Sequence, residues 1–565
     1  MDRVRNCWKN LISNIYLPIS AMAFFLIEQD RLFGQMSYAA MLISFVAVTA
    51  VCCIFPGLWQ KAMAVDHPML DLGILSAAGT VFYAVYTTYD QALTIDPTMF
   101  AARHPVAIAG CGLVALPFAM TYILLILRHV AKCMKSIRLF DGIKRGEKLT
   151  YAVLLAGMLV LALAIYTRTE AFYGTDVLYD VIYNSDTPIL TQMNCFLLFS
   201  NLENDIRQPL FAAMASPFMG ITFLVGYPLS RLFPFAGGYM LDVMEIVLLL
   251  LANYMIARAM KLDSTKRALF VLVSSLSFGS ILFSLMIEQY VVAYFWLAFA
   301  ILMICEGRED DLALLGAAGT LLTSAALGLF YLKPAVMRSG QSEGASLKGK
   351  TSSGGRASSG EKLAACGRTF LKLAGGYLAL VAIFERAQVV LNCFGRTGSL
   401  LGQFAGEPLS FYEKMCQYTA FLRDMLFGAS GAVDLVSRDH PSWQPVAAEG
   451  ISLVGIAVLI LAILGFAVSR RETWAKVSML WVIMSVVLLP IIGWGTAENG
   501  LILYALYFSW AFLALIYGLI RWAADRLKAG WLTWVIAIAY CIACVISWLP
   551  ELLAIVDFGM TYYPA

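Results

Sequence analysis

Charge is what this chain has least of. Only 14% of its 565 residues are Asp, Glu, Lys or Arg, where a soluble globular chain carries about 25%. That shortage, beside a hydrophobic content of 60%, excludes an ordinary soluble domain. Strict alternation of apolar and polar residues is missing too, and its absence excludes a β-barrel, whose strands depend on it. The net charge of +3 carries no argument for nucleic acid, and no such partner is expected. No small-residue cleavage site follows the basic start "MDRVRNCWKN", so the first apolar stretch reads as a retained helix rather than a signal peptide.

What the chain does have is runs of roughly 20 apolar residues, the length of a helix that crosses a bilayer. They fall near 11–28, 36–57, 69–90, 106–128 and 150–168, then 236–257, 266–285, 288–305 and 312–332. Later ones lie near 370–390, 450–468, 475–493, 499–520 and 531–549. The expected fold is an all-α polytopic membrane protein with about 13–14 transmembrane helices. Four helices occupy 1–130, a basic loop 131–149 and a membrane module 150–335 with an outer loop over 169–235. A flexible Gly/Ser-rich linker covers 336–368, and 369–565 holds further helices with an outer loop over 391–449.

Lys and Arg set the orientation. "RHVAKCMKSIRLFDGIKRGEK" (128–148) holds seven of them against two acids and belongs in the cytoplasm. The basic N-terminus, "SRRETWAK" (469–476) and "RWAADRLK" (521–528) belong there too. The segment 150–168 then runs outward and places 169–235 outside. Residues 209–233, with their Pro, Gly and Ser, either span or lie along the outer surface. The second choice keeps the basic turn "ARAMKLDSTKRA" (257–268) inside and needs a broken, re-entrant segment near 312–337, with Lys333-Pro334 as its break.

Two motifs read as coincidence or packing. Gly344, Gly349, Lys350 and Thr351 match a P-loop literally, but low-complexity flanks offer no strand and helix to shape it. No nucleotide cofactor is expected. Cys541 and Cys544 form C-x-x-C within an apolar run and read as small packing residues. Cys393 and Cys416 flank a polar loop and can pair if it faces an oxidising compartment.

The charges gather in one stretch, "YNSDTPILTQMNCFLLFSNLENDIRQPLF" (183–211), with Asp186, Glu203, Asp205 and Arg207. An ionisable group at the membrane is costly and marks a functional site by default. Asp186 also suits a helix N-cap in "SDTP". Arg207 has the forked geometry that grips phosphate, while Glu203 and Asp205 can hold a divalent cation or orient that arginine, or form a salt-bridged loop. Glu288 opens an aromatic helix in "SLMIEQYVVAYFWLAFAIL" (284–302), and His440 lies in "SRDHPSWQP" (437–445). Each is a candidate substrate or metal contact, or else a helix-start acid and a surface histidine.

An outward helix, an early loop Asp, a charged residue just before Pro-Leu-aromatic, a surface helix and a helix ending in basic residues follow in order over 150–305. This resembles the GT-C glycosyltransferases, above all the branch of protein mannosyltransferases and lipid A aminoarabinose transferases. The resemblance implies an enzyme that takes a sugar from a polyprenyl-phosphate carrier and transfers it to an extracytoplasmic acceptor. It implies Asp186 as catalytic base and Arg207, ahead of Pro209 and Leu210, as the contact to the carrier phosphate. The chain departs from the family where Thr187 replaces a second acid and where "IRQPL" (206–210) stands for "EKPPL". Those departures put a metal role for Glu203 or Asp205 in question. Localisation in a bacterial plasma membrane, with the site on the extracytoplasmic face, follows from the same resemblance. A lipid-linked polysaccharide polymerase or ligase is the alternative that Arg423, Arg438 and His440 suit. A transporter or flippase is another, but it predicts repeated halves that the chain lacks, and Asp242 and Glu245 alone do not make a pathway. A scaffold is a third.

Overall fold

The computed structural model describes residues 123, 126–174, 177, 181–192, 196, 208, 210–230, 232–308, 310–330, 374–377, 409–436, 440–496 and 500–565. The first three expected spans, most of the fourth, Glu203, Asp205, Arg207, Arg438, Cys393 and the P-loop-like linker lie outside them.

The described chain is mostly helical. A helical stretch α1 (126–136) leads into α2 (Arg145–Tyr166), a short α3 (Thr187–Gln192), α4 (Phe211–Ser230) and α5 (Ala236–Ala259). Next come α6 (Ser264–Ser275), α7 (Phe278–Leu282), α8 (Gln289–Cys305) and α9 (Asp311–Thr320). The last part holds α10 (Phe411–Phe427), the hairpin β1 (Gly431–Asp434) and β2 (Ser442–Pro445), α11 (Leu453–Ser469), α12 (Thr473–Val486), α13 (Ala505–Arg526) and α14 (Trp531–Tyr562). Five helical segments are long and apolar enough to cross a membrane: α2, α5, α12 with its π-turn, α13 with the 3-10 turn before it, and α14. Exposed Val153, Val160, Ile460, Ile463, Ile542 and Ile546 leave α2, α11 and α14 with apolar outer faces, as lipid contact requires.

Two expected spans are broken. The run 266–285 divides at Leu276–Ser277 into α6 and α7, and the carbonyl of Leu276 takes the indole N–H of Trp548 at 3.0 Å. A neighbouring helix thus pairs the backbone oxygen that the break exposes. The run 312–332 is interrupted at Leu321, while the break expected at Lys333-Pro334 lies outside the described residues. Leu321 is extended (φ −152°) and a 3-10 turn Leu322–Leu327 follows. The hydroxyls of Thr323 and Ser324 meet that of Tyr507 at 2.9 and 3.2 Å and hold the turn against α13.

Within the 209–233 region, residues 211–230 form one helix that packs inside the bundle. α4 is a 20-residue helix whose first turns are buried, and it packs beside α5 and against α8. Phe218 meets the rings of Phe295 and Trp296, and the Trp296 indole donates to the Met214 carbonyl at 3.0 Å. Glycines allow the tightest crossings elsewhere. A Cβ at Gly455 would overlap the Thr419 carbonyl and one at Gly465 that of Leu515, so α11 lies backbone to backbone on α10 and α13.

Both basic turns sit at one end of the bundle. Glu147, fully buried, accepts Arg267 Nε at 2.5 Å and Nη2 at 2.7 Å, and also the hydroxyls of Ser264 (2.5 Å) and Tyr151 (2.6 Å). Arg267 lies over the Tyr254 ring at 5.3 Å, and the Tyr254 hydroxyl donates to the Leu139 carbonyl. The loop after α1 is thereby locked onto the turn between α5 and α6. At the other end, α14 closes the bundle. Its 32 residues measure about 48 Å, longer than a hydrocarbon thickness of about 30 Å.

Removing one partner of a buried ion pair costs about 3–5 kcal/mol, because the other charge stays behind. Arg267→Met should lower the thermal stability of the full chain in detergent by that order, and Glu147→Met with Arg267→Met should recover most of the loss. A double variant as unstable as the single one would mean that the lost packing matters and the stranded charge does not.

Candidate functional site

The end opposite the basic turns is where the sequence-selected acids meet. Glu288 is the N-cap of α8, with its Oε2 accepting from Gln289 N at 3.2 Å. Its other oxygen, Oε1, accepts the backbone N–H of Asp186 at 2.6 Å. Two acids 102 residues apart in the chain are thus in direct contact. Asp186 itself stands at the start of α3, its carbonyl receiving Leu190 N at 2.9 Å. That is the N-cap position expected for it.

A pair set aside in the sequence belongs to this group. Asp242 and Glu245, on one face of α5, are both fully buried, and Glu245 Oε2 accepts the backbone N–H of Glu288 at 3.3 Å. Neither oxygen of Asp242, nor Glu245 Oε1, nor Gln289 Nε2 has a hydrogen-bond partner among the described residues. The buried hydroxyl oxygens of Ser185 and Thr187, on either side of Asp186, are also unpartnered there. Native interiors pair nearly all such atoms, so their concentration around one contact marks a polar site built into an apolar bundle. The available signal was the i, i+3 spacing of two acids inside an apolar helix, which is expensive without a purpose.

The turn before Asp186 is held under strain. Tyr183 (φ 51°) and Asn184 (φ 59°) both adopt left-handed backbone, and Ser185 N reaches the Ile182 carbonyl at 3.0 Å. Positive φ at both central positions is the signature of a primed β-turn, unusual for a tyrosine. Three anchors keep it. Tyr183 N donates to the Trp443 carbonyl at 2.8 Å, and Trp443 N to the Val181 carbonyl at 2.8 Å. The Tyr183 hydroxyl donates to Glu551 Oε1 at 2.5 Å, with the Ala429 carbonyl 3.1 Å away. Burial and the adjoining Glu551 carboxylate keep the phenol protonated far above its usual range, so it remains a donor at any physiological pH.

Through those contacts the 181–183 segment, the β1–β2 hairpin and the tail of α14 become one body. Residues 181–183 dock beside the β1–β2 hairpin by an Ile182–Trp443 bridge, and the Trp443 indole also donates to Glu551 at 3.0 Å. The tail of α14 returns to the start of the first loop, where Glu170 N and the Thr169 hydroxyl donate to the Tyr563 carbonyl at 2.9 and 2.7 Å. The Tyr563 hydroxyl donates to the carbonyl of Pro441, next to His440. His440 Nε2 is buried and without a hydrogen-bond partner among the described residues.

Arg423 is not a spare cation. It bonds Asp424 at 2.6 and 2.7 Å. Burial pushes the Asp424 carboxyl up to about 6, Arg423 pulling it down and Glu551 adding to the rise. Cys416, Cys541 and Cys544 are buried free thiols, the last two packed as expected for apolar fillers. Among the described residues, the acids around Asp186 do not bring three metal-ligand atoms together. The one group that does lies elsewhere, at His129, Cys133 and Asp310.

Tyr183→Phe removes a hydrogen bond to a charged group and should cost about 1.5–3 kcal/mol. Limited proteolysis should then cut within 181–192 far faster than in the wild type. Unchanged protection would show that the hairpin pairing alone holds the turn. No family model matches the chain, and neither a curated protein nor a solved structure matches it.

Proposed function

We propose that the chain is an integral-membrane glycosyltransferase that moves a sugar from a polyprenyl-phosphate donor to an extracytoplasmic acceptor, with Asp186 as the catalytic base. The observation that carries the reading is the 2.6 Å bond from the Asp186 N–H to buried Glu288, which joins the two acid-bearing outer turns. The basic turns at the far end are those expected in the cytoplasm, and this supports an external site in a bacterial plasma membrane.

The chemistry is a single displacement. The acceptor's hydroxyl or amine gives its proton to the Asp186 carboxylate as its lone pair forms a bond to the anomeric carbon. The bond from that carbon to the carrier phosphate breaks, its electron pair leaves on the phosphate oxygen, and the anomeric centre inverts. Arg207 meets the charge that grows on the departing phosphate. Glu288 holds the Asp186 turn and so acts as a positioning residue. A divalent cation, which Glu203, Asp205 or Glu288 would hold, would supply further positive charge to the phosphate. His440 is a candidate hydrogen-bonding contact for substrate, since its buried Nε2 has capacity to spare.

Purified full-length protein, given a panel of polyprenyl-phosphate sugars and an acceptor mixture, should release free polyprenyl phosphate. Asp186→Asn should slow release by about a hundred- to ten-thousandfold, the usual contribution of a positioned base, while the variant elutes as the wild type does on size exclusion. Arg207→Ala should weaken donor use more than Arg207→Lys. Full activity in Asp186→Asn would remove the base assignment and keep the enzyme class. Release from no donor at all would sink the transferase and favour a polymerase or transporter.

A further inference from the structure

We propose that His129, Cys133 and Asp310 form a Zn²⁺ site at the basic end of the molecule, remote from the Asp186 turn and independent of the reaction assigned to it. His129 and Cys133 are four residues apart, so successive turns of α1 place them on one face. Asp310 comes from the turn before α9. His129 Nε2 lies 2.7 Å from Asp310 Oδ2, Cys133 Sγ lies 3.0 Å from the same oxygen, and Sγ and Nε2 are 3.4 Å apart. All three ligand atoms fall within 4.8 Å of one another.

The donor set chooses the metal. One imidazole, one thiolate and one carboxylate suit zinc and other late first-row ions, whereas Mg²⁺ and Ca²⁺ take oxygen. With a neutral histidine the three ligands carry two negative charges, which balance the ion. Tetrahedral bonds of about 2.0–2.3 Å separate ligand atoms by about 3.4–3.6 Å, so a zinc ion needs the observed triangle to widen by well under 1 Å. Binding breaks the Cys133 S–H bond, forms a metal–sulfur bond and releases the proton to water. The fourth position is left to water. His129 is 42% exposed while Asp310 is only 8% exposed, so the triangle is open on one side and anchored on the other.

The anchoring is directional. Asp310 Oδ1 caps α9 by accepting Ala313 N at 2.9 Å, which commits that oxygen and leaves Oδ2 toward the histidine and cysteine. A ligand oriented by its other oxygen is the arrangement that tunes metal sites. Its consequence would be mechanical. The ion would tie α1, the helix arriving from the N-terminal segments, to the start of α9, beside the existing contacts of Arg308 with Ser136.

Full-length protein free of polyhistidine tags, stripped with chelator and titrated with Co²⁺, tests this. The wild type should bind one equivalent and show a near-ultraviolet thiolate-to-cobalt band with tetrahedral visible absorption. Zn²⁺ should displace it, and metal analysis of protein purified without chelator should find zinc in the same ratio. Cys133→Ser should lose the near-ultraviolet band, and His129→Gln, at a half-buried position whose amide can still donate to Asp310, should lose stoichiometric binding. Bound zinc should raise the melting temperature of the wild type and leave that of His129→Gln unmoved. No cobalt spectrum in the wild type, or equal binding by wild type and both variants, would overturn the site.

Discussion

A carboxylate taken out of water among apolar helices is costly unless something donates to it, and this constraint organises the whole described structure. Glu147 is met by a guanidinium and two hydroxyls. Glu288 is met by two backbone amides, and Glu551 by a phenol and an indole. In every case at least one donor comes from a segment far away in sequence. The acids therefore work as stitches, each drawing together elements that apolar packing alone would leave free to slide.

The stitches at the two ends differ in kind. Around Glu147 the donors are sufficient and the pair is closed, as suits a structural lock between the α1–α2 loop and the α5–α6 turn. Around Asp186 the pairing is incomplete. Asp242 has no partner among the described residues, Glu245 uses one oxygen, and the neighbouring Ser185 and Thr187 hydroxyl oxygens are idle. A closed network stores stability. The open one, among the described residues, also holds the strained Tyr183–Asn184 turn.

Helix architecture serves this arrangement. α14 is long enough to brace the β1–β2 hairpin, bringing Glu551 to Tyr183 and Trp443. α5 supplies Asp242 and Glu245 from inside the bundle, and the broken α6–α7 run lets Phe278 pack edge-on to Tyr183 at 6.4 Å. Continuous helices would give a smoother bundle and no such seat.

The sequence by itself determined that the chain is helical, apolar and polarised in charge, because hydrophobic run length and Lys/Arg placement are local properties that a bilayer reads directly. It also singled out Asp186 and Glu288, since an acid beside apolar residues is conspicuous without any neighbour. Their contact was not legible, nor was the bond between Glu245 and the Glu288 amide, because each pairs residues tens to hundreds of positions apart. The broken spans were hidden for a related reason. The Leu276 carbonyl is paired because Trp548 arrives from α14, and Leu321 turns where Tyr507 meets the hydroxyls that follow it. Composition dictated what must be buried, but which distant donor meets each buried polar group was settled by packing, because those donors are far away in the chain.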